Sequence, residues 1–204
     1  MALLHILSGG ASTNDILLCG DSSGGLLLTQ IISHILHPYP SIPPLPTLST
    51  PFLGILLISP WVTFGAPFSS NTVRKDRDYL TLDILQYWGS AAKEGTALLS
   101  AGEDGQAEPG GYWGEPMKAT SDWWSGVDKI ATNIFITSGE WEVLHDDIQQ
   151  FGKAFKEAAG PSVQVDVVSE PNGIHIGPVF GMLWDLGPNQ LTDAVINWVY
   201  ERMV

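Results

Sequence analysis

Residues 15–25 read Asp15-Ile16-Leu17-Leu18-Cys19-Gly20-Asp21-Ser22-Ser23-Gly24-Gly25. The first six (DILLCG) read as a fully buried strand and run directly into Gly-x-Ser-x-Gly. Residues 23–37 (SGGLLLTQIISHILH) follow, apolar on nearly every side, and read as a buried helix. A strand, a sharp turn and a helix in this order hold a serine on a strained backbone with its hydroxyl exposed. Glycines on either side leave room where strand and helix approach. The helix N-terminus adds free N–H groups and the positive end of its dipole. Ser22 is therefore the candidate nucleophile, and the Ser23 N–H a candidate donor to an oxyanion. Gly-x-Ser-x-Gly alone is common by chance; the strand before it and the helix after it give it weight.

The same alternation continues outward. Residues 53–58 (LGILLI), 133–137 (NIFIT) and 163–168 (VQVDVV) read as strands, the last alternating enough to lie near a sheet edge. Helices are expected over 82–94, with Thr81 as N-cap, over 144–159, ended by Gly160-Pro161, and over 191–203. Residues 38–51 hold six prolines and must form a loop. The Gly-, Pro-, Trp- and acid-rich segment 100–126 is expected to be a long irregular insertion of the kind that forms lids or binding elements. This is the pattern of a mostly parallel α/β sheet in one domain spanning 1–204, without internal repeats.

Composition narrows the partners. The chain has 204 residues, enough for one domain and short for two. Hydrophobic residues make up 44% and charged ones 15%, which excludes a disordered chain. Asp+Glu outnumber Lys+Arg by 22 to 9, a net charge of −13 that repels phosphates. Nucleic acids and anionic membranes are therefore excluded as main partners. Cys19, the single cysteine, has no internal disulfide partner, and no Cys/His cluster has zinc spacing. The acidic run 103–108 lacks the spacing of a calcium loop, so no metal site is expected. No apolar run reaches the length of a membrane span, and the short apolar N-terminus lacks a basic region. A cytoplasmic location is the default expectation.

A nucleophilic serine needs a base. His34 and His37 sit where a helix C-terminus favours them, and His5 precedes the first strand. His145, on the helix after the third strand, reads as solvated. His175 lies in the loop 171–178 (PNGIHIGP) after the fourth strand, and parallel α/β sheets place their sites at such strand ends. The orienting acid belongs just past the third strand, where Glu140 and Glu142 are the candidates. Asp146 and Asp147 fall in a first helical turn, where the dipole already explains a carboxylate. The chain order serine, acid, histidine is that of α/β-hydrolases. On the substrate side, Trp61, Trp113, Trp123, Trp124 and Trp141 lie in expected loops, and one or two of them could wall an apolar pocket. Asp21 and Trp61, next to the turn and after the second strand, are the pocket candidates. Pro40 to Pro46 has PxxP character but reads as plain loop.

The chain resembles the hormone-sensitive-lipase-like branch of the α/β-hydrolases, the α/β-hydrolase-3 esterases, and looks most like its fungal members. Gly20-Asp21-Ser22-Ser23-Gly24-Gly25 is similar to that branch's Gly-Asp-Ser-Ala-Gly-Gly turn, with Ser23 in place of alanine. Ser59-Pro60-Trp61, the acid loop from Gly139 to Asp147, and Gly173-Ile174-His175 resemble its other motifs. The resemblance implies a partial α/β-hydrolase fold. It also implies a Ser22–His175–Glu142 triad without a cofactor, acting on small-molecule esters. Glu142 is singled out as the residue two before Leu144, where the family mostly has Asp. The family's His-Gly-Gly-Gly-type oxyanion motif has no match in residues 1–19, because Ser8-Gly9-Gly10-Ala11 is too close to the turn. The expectation is therefore a truncated hydrolase with the second half of the sheet and half of the oxyanion hole. Residues 15–20 would then form an apolar edge, which leaves a homo-oligomer open as a partner. Loss of a donor costs on the order of 10²–10³ in turnover. A catalytically impaired remnant that acts as a binding protein is the competing reading, and an amide-cleaving enzyme the third.

Overall fold

The computed structural model describes residues 2–40, 42–65, 73–74, 76–100, 111–185, 187 and 189–203. Its chain runs α1 (Ala2–Ser8), β1 (Leu17–Asp21), α2 (Ser23–Leu36), β2 (Gly54–Ile58), α3 (Leu82–Ser100) and α4 (Gly111–Gly114). It continues through β3 (Asn133–Gly139), α5 (His145–Ala159), β4 (Gln164–Glu170), α6 (Gly177–Leu183) and α7 (Gln190–Met203). The four strands form one parallel sheet in the order β1-β2-β3-β4. Because all three pairings are parallel, all four C-terminal ends lie along one side. Asp21, Ile58, Thr137 and Val168 continue the same register from strand to strand, level with one another.

The apolar residues of β2 and β3 fill both faces of the sheet, as buried parallel strands require. Ile55, Leu57, Ile134 and Ile136 enter one core with Leu26 and Ile32 of α2 and Phe151 and Phe155 of α5. Leu56, Ile58 and Phe135 point the other way and pack on Val195 and Trp198 of α7. Helices therefore cover both faces. Two glycines set the spacing between layers. A Cβ on Gly152 of α5 would stand 2.9 Å from the Val167 side chain, and one on Gly54 2.8 Å from the Trp198 ring. Thr81 caps α3 as expected, its Oγ1 accepting the Ile84 N–H at 3.3 Å.

Three expectations change. The first strand is not buried on both faces: among the described residues β1 pairs with β2 alone, Leu17 and Leu18 are half-buried, and Cys19 is exposed. Its apolar sequence could not reveal which neighbours it has. The described part of the expected insertion, residues 111–126, is no lid. Trp124 is fully buried against Phe151 and Phe155, and Trp123 stacks on His37 at 3.8 Å. The segment closes the core beneath α2 and α5; residues 101–110 lie outside the described residues. Helix α3 runs on to Ser100, and the short α6 after the histidine loop was not anticipated.

Candidate active site

Ser22 sits between β1 and α2 with φ +50° and ψ −116°. A side chain on a positive φ costs about 1–3 kcal/mol and persists only where its surroundings fix it. Here three hydrogen bonds do so. Its N–H donates to Ile58 O at 2.9 Å, and its carbonyl accepts from Trp61 N–H at 2.9 Å and Leu26 N–H at 3.2 Å. The glycines beside it divide the labour differently from expectation. A Cβ on Gly20 would stand 2.5 Å from Gly24 O, and one on Gly25 2.7 Å from Pro60 Cβ, whereas Gly24 faces only Asp21 Oδ1 at 3.9 Å. The strand–helix approach is thus made by Gly20 and Gly25.

Ser22 Oγ lies 2.8 Å from His175 Nε2. His175 is buried, and its Nδ1 lies 2.6 Å from Glu142 Oε1. A carboxylate oxygen only accepts, so Nδ1 carries the hydrogen and Nε2 is left to accept the Ser22 hydroxyl. Glu142 is wholly buried. Its second oxygen, Oε2, accepts the Gly139 N–H and the Ser59 hydroxyl, each at 2.9 Å. The other acid candidate, Glu140, is exposed and accepts the Asn172 N–H at 3.2 Å. Of the two glutamates it is therefore Glu142 that the fold brings to His175.

The acid and histidine loops are sewn together at close range. Glu140 N–H donates to Glu170 O and Trp141 N–H to Gly173 O, both at 2.8 Å. A Cβ on Gly139 would stand 2.4 Å from the Gly173 carbonyl, so only glycine permits the approach. His145 is not solvated as expected. Its Nδ1–H donates to Gly139 O at 3.0 Å and approaches Ser138 Oγ at 3.2 Å, while burial lowers its pKa below the ordinary histidine value. It pins the start of α5 to the end of β3. His34 and His37 are structural as expected, meeting Pro43 O at 3.1 Å and Trp123 O at 2.8 Å.

Ser23 is the first residue of α2 and has no acceptor for its N–H within the helix. It borders a cleft of about 250 Å³ lined by Ser22, Ser23, Trp61, Leu85 and Trp88. Trp61 is thus where the sequence suggested. Asp21 is not: it ends β1 exposed, with its carboxylate beside the first turn of α2, where the helix dipole favours it. Among the other tryptophans, Trp113, Trp123 and Trp124 pack beneath α2, and Trp141 lies under Arg77 at 5.3 Å. Leu85 and Trp88 were missed. Their spacing of three on α3 puts them on one face, but nothing in the sequence says which element that face meets.

Two further polar residues went unassigned. Ser59, at the end of β2, is buried with φ +46°, and it accepts the Ile176 N–H at 3.1 Å while donating to Glu142. Its place in Ser59-Pro60-Trp61 was its only signal. Asp78 accepts the His175 N–H at 3.2 Å and the Val143 N–H at 3.1 Å. The charged run around it reads as a solvated surface. Among the described residues no three His, Cys, Asp or Glu side chains cluster to hold a metal.

The parallel sheet flanked by helices has counterparts among known proteins. Residues 2–177 match the family model Abhydrolase_3, alpha/beta hydrolase fold. The chain belongs to the α/β-hydrolase fold family. This hydrolase-fold chain is similar to a hormone-sensitive lipase from a metagenome library, with 23% identity and a TM-score of 0.67 over 97% of its length. It is also similar to EstE7, a hormone-sensitive-lipase homologue from a metagenome library, at 23% identity and TM-score 0.69 over 98%. An esterase/lipase from an uncultured bacterium gives 18% and 0.71 over 99%. At these identities the likeness is one of fold. The chain spans 57–58% of those chains' lengths. No curated protein matches the sequence. Among the described residues no helix is long and apolar enough to cross a membrane.

Proposed function

We propose that this hydrolase-fold chain is a serine hydrolase of carboxylic esters, of the fungal-type hormone-sensitive-lipase-like branch that its motifs resemble. The observation that carries the reading is the hydrogen-bonded line Glu142–His175–Ser22, at 2.6 and 2.8 Å, on a serine with strained backbone. Ser22 Oγ attacks the acyl carbon as its proton passes to His175 Nε2. The Ser23 N–H faces the developing oxyanion at the helix N-terminus. His175 then gives the proton to the departing alcohol oxygen as the ester C–O bond breaks. Water attacks the acyl-enzyme, its proton again going to Nε2, and Ser22 is regenerated. Glu142 holds the Nδ1–H tautomer and offsets the positive charge of the imidazolium. The sequence needs no cofactor. The cleft walled by Trp61, Leu85 and Trp88 is at the small end for ligand sites, which favours short acyl groups.

Intact-mass analysis after incubation with a fluorophosphonate tests this, with Ser22→Ala alongside. One adduct on the parent and none on the variant is the expected result, with turnover of a butyrate ester lost in the variant. An adduct retained by Ser22→Ala refutes the nucleophile. A folded parent that takes up no probe favours the second reading, a non-catalytic binding protein. The observation on that side is the exposed edge of β1, a template for pairing with another chain. An amide substrate run beside the ester separates esterase from amidase.

A further inference from the structure

Ser59 and Asp78, both between β2 and α3, each bridge the acid loop to the histidine loop. Glu142 and Val143 are neighbours in the acid loop, and His175 and Ile176 are neighbours in the histidine loop. Ser59 joins the Glu142 carboxylate to the Ile176 N–H. Asp78 joins the Val143 N–H to the His175 N–H, one carboxylate oxygen to each. These two bridges cross the same pair of loops, and each touches the residue next to the other's. We propose that Asp78 is a positioning residue of the proposed hydrolase: a carboxylate clamp that fixes the separation of Glu142 and His175, so that their hydrogen bond stays formed while the imidazole moves protons. The inference rests on the triad reading for its catalytic consequence, but the clamp itself is a matter of loop geometry.

Three observations set Asp78 apart from an ordinary surface acid. Its partners are backbone N–H groups 65 and 97 residues away, so it fixes main chain rather than a mobile side chain. Burial raises its pKa above the ordinary carboxylate value, and the charge of Glu142 raises it further, against the lowering effect of its two N–H bonds. The fold therefore keeps an acid where burial disfavours its charge. Finally, the described partners of His175 divide by role. Glu142 takes Nδ1, Ser22 takes Nε2, Asp78 takes the backbone N–H, and the Tyr79 ring stands 6.0 Å away with its phenol pKa raised by burial. Among the described residues, Asp78 alone hydrogen-bonds both the acid loop and His175 without being part of the proton path.

The test is Asp78→Asn, which keeps the shape but sets an NH₂ donor against one of the two N–H groups. On a butyrate ester, kcat is expected to fall about tenfold to a hundredfold, with KM within about twofold of the parent, as expected of misplacement near the chemistry. The far-downfield proton resonance of His175 Nδ1–H, assigned by its loss in His175→Ala, is expected to broaden or vanish. The thermal midpoint should hold, since relief of a buried charge offsets the lost bond. Asp78→Ala removes both acceptors without adding a donor; it carries the same expectations if the asparagine variant does not fold. A variant that keeps both kcat and the downfield resonance overturns the clamp while leaving the hydrolase reading intact. A parent that shows the resonance but neither turnover nor Ser22-dependent labelling refutes the hydrolase reading. In that case loss of the resonance on Asp78→Asn still upholds the clamp, and its retention overturns it.

Discussion

Ser59 shows how much one hydroxyl can hold. It donates to Glu142, accepts from the Ile176 N–H, and sits on a positive φ that few side chains adopt. Ser59→Ala leaves the Ile176 N–H without that partner and Glu142 Oε2 with one donor instead of two. Each unsatisfied buried group costs about 1–3 kcal/mol. The expected outcome is a loss of that size in a urea melt together with a fall in kcat of about tenfold. A melt that shifts while kcat stays level would show that Ser59 only supports the fold. At this scale the sequence was legible where chemistry leaves a local pattern. Ser22 announced itself through its glycines and its flanking strand and helix. His175 and Glu142 followed from chain order and strand ends, although choosing Glu142 over Glu140 needed the resemblance. Ser59 and Asp78 left no such mark, because their partners are backbone groups far away in the chain.

At the scale of elements, buried strands were legible because β2 and β3 are apolar on both faces, helix α3 because Thr81 caps it, and helix α5 because Gly160 ends it. What escaped was contact between elements. The Trp-rich segment lacks periodicity, yet Trp124 is fully buried on Phe151 and Phe155. Short hydrogen-bonded helical turns at Gly111–Gly114, Pro116–Lys118 and Ser121–Trp124 hold its backbone, and the packing of Trp124 on Phe151 and Phe155 fixes it to the core. Trp124→Ala is expected to destabilise by about 3–5 kcal/mol, the cost of emptying an aromatic site in a core. At temperatures where the variant remains folded, KM for a short ester is expected to match the parent. A changed KM with unchanged stability would instead mean that the segment reaches the cleft.

The whole molecule responds to acid through groups whose protonation folding alters. Burial lowers the His145 pKa below its ordinary value of 6.5, and the charge of Arg74 lowers it further, against the raising effects of Asp146 and the Gly139 carbonyl. The unfolded chain then binds the imidazole proton more readily than the folded one. The stability it contributes is complete above the ordinary histidine value and is lost as the pH falls through it. Asp78 and Glu170 act oppositely: burial raises both, so their charge costs stability only as the pH rises past the ordinary carboxylate value. The ordinary histidine value lies between about pH 7.5 and about pH 5.5, the interval over which the His145 contribution starts to be lost. Urea melts are expected to show the parent losing stability over that interval, and His145→Gln losing less. Parallel slopes for the two would remove His145 from the account. The order of the strands has a consequence for synthesis. Ser22 and His175 are 153 residues apart, and Ser59 and Ile176 117. During most of translation the serine has already emerged while the histidine has not yet been made. On the proposed mechanism, a growing chain carries the serine before the histidine that would activate it, so reactivity toward a covalent probe would mark a chain whose fourth strand has been delivered and seated.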